Sequence, residues 1–441
     1  MTALIVGNTR TVEMAGDLSA LTPAQLCRGG YAAQRLLWSA RDGDVVVLPW
    51  LPPDRYLEYL TALTGTTASS LALIVPPPGR LGADLVTPDR LADPAFRDRL
   101  RGVVRDRPIR TVLAVYNDRS ITDLARAMGV EAALPGYRFS AQGGDALVNS
   151  KAAFRAVAAG AGVPTAEGMV VAQQQEARDA IAEMLGDGHH VIVKQEFHGG
   201  GFGNEILSAT DDIPPVGAPR VVVLPDRRSV TEYVAQRWDW LTGDRAHRLV
   251  VERYVPGSRT IYAEYLVTAD GADLRGTGEI LMDPVAVGVI VPPSLDSDTE
   301  SRLIHGGRQL CESYRVLGYR GNISADAILT PAGEVLFTET NGRLTGSTHL
   351  YTVVRDRLIG AAYQKDRIVL ERSGWPVPSF SAAEAALLAA GLSYEPGRRV
   401  GVLLTSERIP DDGTLSYCVV AEDLASVEDQ ERGVKALFTV E

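Results

Sequence analysis

The chain has 441 residues, 45% hydrophobic and 22% charged, with a formal net charge of -11, a composition that excludes disorder and leaves room for two to four cores. That acidity disfavours nucleic acid as a partner, since a phosphate backbone asks for a basic footprint, and no run reaches the ~18 apolar residues of a membrane span. Cys27, Cys311 and Cys418 lie far apart and form no CxxC pair, so neither a disulfide framework nor a zinc site is indicated.

The N-terminus has no basic lead and no small-residue cleavage signal, which points to a cytoplasmic location. From Thr2 the runs TALIV, DVVVL, LALIV and TVLAV alternate with helix-like stretches, the βαβ pattern of a parallel sheet. No GxGxxG follows the first strand. Residues 1–140 therefore read as a Rossmann-like domain without the dinucleotide fingerprint, its sheet free to line a substrate cleft.

A second domain, 141–370, opens with an alanine-rich helix ended by Gly160 or Gly162, with Pro164 before a strand. Its stretch HVIVKQEFHGGGFGNEILSA joins two strand-like runs through Gly199, Gly200, Gly201 and Gly203. A P-loop instead joins a strand to a helix and ends in GK[ST], so this is a hairpin, able to bring backbone N–H groups close to an anion and able to move. Lys194 stands in the apolar strand leading in, where an unpaired ammonium would be costly if buried. Lys151 opens the alanine-rich helix and can supply a second positive charge. Further on, RLVVERYVPG places Glu252 at the end of an apolar strand, and the segment to Val255 can offer backbone groups to a flat heterocycle.

The stretch GYRGNISADAILTPAGEVLFTETNGRLTG predicts a β-hairpin around PAGE. With a four-residue loop closed by Thr330 and Val335, Asp326 falls opposite Glu339 and Ser324 opposite Asn341, all on one face. Like charges so opposed are destabilising unless a cation sits between, and two carboxylates with an amide oxygen form a hard set suited to Mg²⁺. Taken alone, solvated or arginine-paired carboxylates on an exposed sheet fit equally well. A third module, 371–441, follows SGWPVPSF, with a capping box at Ser381 and Glu384, two strands and a closing helix.

The lysine strand with its glycine hairpin, the Glu-containing strand, and Asp followed thirteen residues on by Glu-x-Asn together resemble the ATP-grasp ligases, over roughly 142–370. The flanking modules are similar to the actinobacterial peptide ligases of the pheganomycin type. The resemblance implies an α/β and α+β architecture: a Rossmann-like N-terminal domain, a two-subdomain ATP-grasp core and a small C-terminal α/β module. It implies ATP and Mg²⁺ as cofactors, with Lys151, Lys194, Gly199, Gly200, Gly201 and Gly203 at the phosphates, Glu252 and the Val255 backbone at the adenine, and Asp326, Glu339 and Asn341 as metal ligands. The catalytic cations it implies are Arg343, placed to grip a carboxylate or stabilise an acyl phosphate, and Arg320. Ser324 stands where several relatives carry an arginine, which leaves the γ-phosphate cation open among Arg320, Arg343 and Arg259.

The function so implied is an ADP-forming ligase that couples an amino-acid carboxylate to the amino group of a peptide in natural-product biosynthesis. Glu279, in GTGEILMDP, reads as a structural residue before it reads as a base or an anchor for the ammonium. Its partners would be a small amino acid and a peptide nucleophile, without nucleic acid or membrane, and a homodimer is left open. A ligase or carboxylase acting on another small acid, and a non-catalytic ATP-binding regulator, are the alternatives.

Overall fold

A computed structural model describes residues 2–438. The N-terminal strands β1 (Thr2–Val6), β2 (Val45–Val47), β3 (Ala72–Ile74) and β4 (Ile109–Ala114) form a parallel sheet in the order β3-β2-β1-β4. Strands buried on both faces need apolar side chains at every position, and VVV at β2 supplies them. Leu4, Val6, Val45 and Val47 pack with Phe96, Leu100 and Ile121 on one side, while Ile5 and Val46 join Trp38, Tyr56 and Leu60 on the other.

Strands β5 (Gly168–Val171), β6 (His190–Gln195), β7 (Asn204–Ser208), β8 (Val221–Val223) and β9 (Leu249–Tyr254) form a five-stranded sheet ordered β5-β9-β6-β7-β8. Helices Gln174–Gly186 and Arg227–Leu241 cover one face through Ile181, Val191, Val193, Val234 and Val251. Because side chains alternate along a strand, Ile192, Lys194 and Glu252 project from the uncovered face.

The remaining strands, β10 (Arg259–Val267), β11 (Ala272–Met282), β12 (Ala286–Val291), β13 (Gly321–Leu329), β14 (Val335–Asn341), β15 (Ile368–Pro376), β16 (Gly401–Arg408) and β17 (Thr414–Ala421), form one sheet. Its order is β14-β13-β10-β11-β12-β15-β17-β16. Helices Lys151–Ala161 and Ser297–Leu317 cover its first strands through Phe154, Leu303, Leu310 and Tyr314.

The expected module boundary at 370 falls inside β15, whose residues pair with β12 on one side and β17 on the other. Gly374 and Pro376 of SGWPVPSF resemble a linker, yet they form the irregular end of a strand, with Trp375 opposite Leu415. The two ends of the chain also share a core. Trp38, Tyr56 and Leu60 pack with Phe380, Leu404 and Tyr417, and the Trp38 indole donates to the Thr405 carbonyl at 3.0 Å. No helix among the described residues is long and apolar enough to cross a membrane.

Candidate active site

The open faces of the five-stranded and eight-stranded sheets enclose a cavity of about 370 Å³. On the eight-stranded side the β13–β14 hairpin pairs Asp326 with Glu339 and Ser324 with Asn341, the predicted register. Two differences cancel to produce it. Leu329, rather than Thr330, pairs with Val335, and a bulge after Asp326 leaves Thr338 unpaired. The extra residue in the loop is thus compensated by the extra residue in the strand, and the Thr338 hydroxyl donates to the Asp326 carbonyl at 3.2 Å.

Both carboxylates face the cavity, and Asp326 is only 7% exposed. Their proximity is managed by donors. Asn341 Nδ2 reaches Asp326 Oδ2 at 2.9 Å and Glu339 Oε1 at 3.4 Å, and Ser324 Oγ donates to Asp326. Lys151 Nζ lies 2.7 Å from Glu339 Oε2. Burial and then the Glu339 charge push the Asp326 carboxyl up. Burial would raise Glu339 too, but Lys151, Arg343 and Lys194 outweigh it and hold Glu339 below its ordinary range. The pair divides its roles: Glu339 is the better anion, and Asp326 takes a proton more readily.

The opposite wall is positive. Lys194 Nζ sits 2.5 Å from Glu252 Oε2, and Arg155 NH1 lies 2.5 Å from Glu252 Oε1. One buried carboxylate thereby holds two cations. Glu252 is thus occupied by its own neighbours, while Arg253, Tyr254 and Val255 line the cavity beside it. Arg155 was missed in the sequence, although it lies one helical turn after Lys151 on the same face.

The glycine segment closes over this wall. Gly200 and Gly201 line the cavity, and Lys151 Nζ donates to the His198 carbonyl at 2.5 Å. Gly201 has φ +85° and a Cβ there would stand 2.9 Å from the Gly217 carbonyl oxygen, so only glycine fits without strain. A Cβ on Gly203 would fall 2.4 Å from that of His198, and one on Gly199 would stand 3.3 Å from Arg343 NH2.

Arg343 borders the cavity, donating to Asn149 Oδ1 at 3.2 Å and to Asn341 Oδ1. Arg320 does not reach it. Its NH1 donates to the Arg315 and Tyr319 carbonyls at 2.8 and 2.6 Å, and it lines a separate surface depression with Phe139 and Leu317. The geometry therefore removes Arg320 from the catalytic set. Arg259 and Glu279 pair with each other through two bonds, at 2.9 and 2.5 Å, and neither is among the residues lining the cavity.

Two family matches cover the ends of the chain: the Pre ATP-grasp domain at residues 33–130 and the PGM1 C-terminal domain at residues 382–434. No curated protein matches the sequence. Among solved structures, the biotin carboxylase domain of 2-oxoglutarate carboxylase from Hydrogenobacter thermophilus, solved with MgADP, ADP and bicarbonate, aligns with TM-score 0.58 and 14% identity. That alignment covers 98% of this chain and 89% of that one. The N5-carboxyaminoimidazole ribonucleotide synthetase of Thermus thermophilus aligns at 0.57 and 12%, over 100% and 99% of the two chains. A biotin carboxylase from Campylobacter jejuni, solved as a beta-gamma-ATP complex, aligns at 0.56 and 13%, over 97% and 89%. The chain has the ATP-grasp fold preceded by a Pre ATP-grasp domain, the architecture expected from its sequence.

Proposed function

We propose that this chain is an ATP-dependent, ADP-forming carboxylate–amine ligase, and that its acid is an amino acid joined to the amino group of a peptide. The observation that carries the reading is the cavity with an opposed carboxylate pair on one wall and Lys194 beneath a glycine hairpin on the other. The relatives of like fold that were solved with ADP, MgADP or an ATP ligand support a nucleotide in that cavity.

The donor set fits Mg²⁺. Asp326 and Glu339 supply hard oxygens, and the Asn341 amide oxygen, which now accepts from Arg343, would join them only by exchanging that bond for the ion. When bound, the ion would neutralise charge on the transferring phosphoryl group. The chain's own residues do the rest. Lys194 and Lys151 hold the phosphates, the hairpin backbone at Gly199, Gly200, Gly201 and Gly203 covers them, and the Val255 backbone meets the adenine. Glu252 acts by fixing Lys194 with Arg155.

In the reaction, a substrate carboxylate oxygen attacks the γ-phosphorus, the bond to the ADP oxygen breaks, and an acyl phosphate forms. The amine nitrogen then attacks the acyl carbon, phosphate leaves, and the amine gives up its proton. Arg343, a planar bidentate donor, suits the carboxylate and the acyl phosphate alike.

The test is nucleotide product analysis with Mg²⁺, ATP and a panel of amino acids and short peptides, supplied singly and in pairs. ADP and phosphate formed only when acid and amine are both present is the expected result. AMP with pyrophosphate would mean adenylation instead. ADP formed with bicarbonate alone would favour a carboxylase, and no turnover across the panel would leave a nucleotide binder.

A further inference from the structure

The carboxylate wall and the glycine hairpin meet at one ammonium. Lys151 Nζ lies 2.7 Å from Glu339 Oε2 and donates to the His198 carbonyl, in the segment entering the hairpin, at 2.5 Å. Among the described residues, Glu339 makes its one ion pair with this group. An ammonium has three N–H bonds, so one is left for the cavity that Lys151 lines.

The backbone around Lys151 is held from two directions. Its own amide donates to the Glu196 carbonyl at 3.1 Å, and Ser150, the N-cap of its helix, donates its hydroxyl to the Glu196 carboxylate at 2.5 Å. Just upstream, the Thr340 hydroxyl donates to the Val148 carbonyl at 2.8 Å and Asn149 Nδ2 donates to the Gly342 carbonyl at 3.3 Å. Those bonds tie the same segment to the chain immediately after Glu339. Any movement that parts the ammonium from Glu339 therefore belongs to the lysine side chain, not to its helix.

That anchoring sets up a competition for one oxygen. The Lys151 and Glu339 side chains are only 7% and 19% exposed, and parting such a pair strands a charge that water barely reaches. To admit a lone divalent ion at Asp326 and Glu339, Lys151 must give up Oε2 and keep only a carbonyl. To admit an ion chelated by a polyphosphate, Lys151 exchanges one anion for another. Lys194 faces no such exchange, because its partner is Glu252 on the opposite wall, at 2.5 Å.

We infer that Lys151 is a built-in counter-ion that makes the site specific for the metal–nucleotide chelate over the free metal: it holds Glu339 against a lone divalent cation and releases it when phosphate oxygens receive the ammonium. The inference rests on the ligase reading, whose site it shares, and adds to it a positive coupling between metal and nucleotide carried by one side chain. Such coupling is reciprocal, so the residue that lets nucleotide tighten the metal also lets the metal tighten the nucleotide.

The probe is Mn²⁺, its free hydrated form read by electron paramagnetic resonance during titration into the full chain with and without ADP. The wild type should bind Mn²⁺ alone weakly and more tightly with ADP. Lys151→Met should bind Mn²⁺ alone at least about tenfold more tightly than wild type and lose about as much of the gain from ADP. Lys151→Gln is a second neutral variant with the same expected result, and Lys151→Arg, which keeps the charge, should bind Mn²⁺ alone no more tightly than wild type. Lys194→Met removes a cation from the same cavity without uncovering Glu339, so its affinity for Mn²⁺ alone should rise by no more than about threefold.

A rise in Lys194→Met as large as in Lys151→Met would mean a general field rather than a contact, and would overturn the inference. A wild-type chain that binds no MnADP would sink the ligase reading and this inference with it. One that binds MnADP while both neutral variants bind Mn²⁺ alone as weakly as wild type would sink this inference and leave the ligase reading standing.

Discussion

The two walls of the cavity solve opposite electrostatic problems. On the five-stranded sheet one buried carboxylate, Glu252, holds two cations, Lys194 and Arg155. On the eight-stranded sheet two carboxylates, Asp326 and Glu339, are held apart by one amide, one hydroxyl and Lys151. The first wall has positive charge to spare and suits phosphate, whereas the second has acceptor oxygens to spare and suits a hard cation. A polyphosphate chelating a divalent ion matches both at once.

The largest expected effect breaks the second wall. Glu339→Gln keeps the shape and removes the better anion of the pair, so ADP release should fall about 100-fold or more with the circular-dichroism spectrum unchanged. Near-normal turnover at saturating Mg²⁺ would remove Glu339 from the metal set. Next comes the first wall. Lys194→Ala takes away a charge-assisted contact worth roughly 1.5–3 kcal/mol, so MgADP should bind at least about tenfold more weakly by calorimetry. Unchanged affinity in a folded variant would make the lysine only a partner of Glu252.

A smaller effect separates binding from scaffolding. Glu371, away from the cavity, lies 3.0 Å from His349 and 3.6 Å from Arg35. Burial would raise its carboxyl, but Arg35, then His349 and the hydroxyl of Thr405, outweigh it and bring it from 4.5 to about 2. A depressed folded value stabilises the fold above the unfolded value and is lost on acidification. Glu371→Gln should therefore lower the denaturation midpoint at pH 7, with the difference from wild type shrinking as pH falls from about 4.5 toward 2. MgADP affinity at pH 7 should not change. The smallest effect is expected for Gly201→Ala, in which the positive φ costs about 1 kcal/mol and the loop must also shift to clear the Gly217 carbonyl oxygen 2.9 Å from the new Cβ, so nucleotide affinity should fall at least about fivefold.

Both walls were partly legible in the sequence, for different reasons. The carboxylate pair could be read because strand alternation is local: Asp326 and Glu339 sit in one hairpin, and the two counting differences around Thr330 and Thr338 cancelled. Lys194 stood out because a charge in an apolar strand demands a partner, but that the partner is Glu252, far along the chain, is decided by β6 pairing with β9. Arg155 escaped because a helix arginine looks like a solvated face until the sheet beside it is known. Arg320 entered as one of three arginines left open because Ser324 stands where several relatives carry an arginine, but its NH1 donates to the Arg315 and Tyr319 carbonyls outside the cavity. The continuity of the large sheet through β15 was hidden because Gly374 and Pro376 look like a linker when pairing partners are unknown.

The most direct test of the division between the walls is calorimetric titration of ADP into the wild-type chain with and without Mg²⁺, repeated for Glu339→Gln and Lys194→Ala. The account predicts that Mg²⁺ tightens ADP binding in the wild type, that Glu339→Gln loses this gain while still binding ADP alone, and that Lys194→Ala weakens binding in both conditions. ADP binding that is indifferent to Mg²⁺ in the wild type, or a Glu339→Gln variant that keeps the full Mg²⁺ gain, would contradict it.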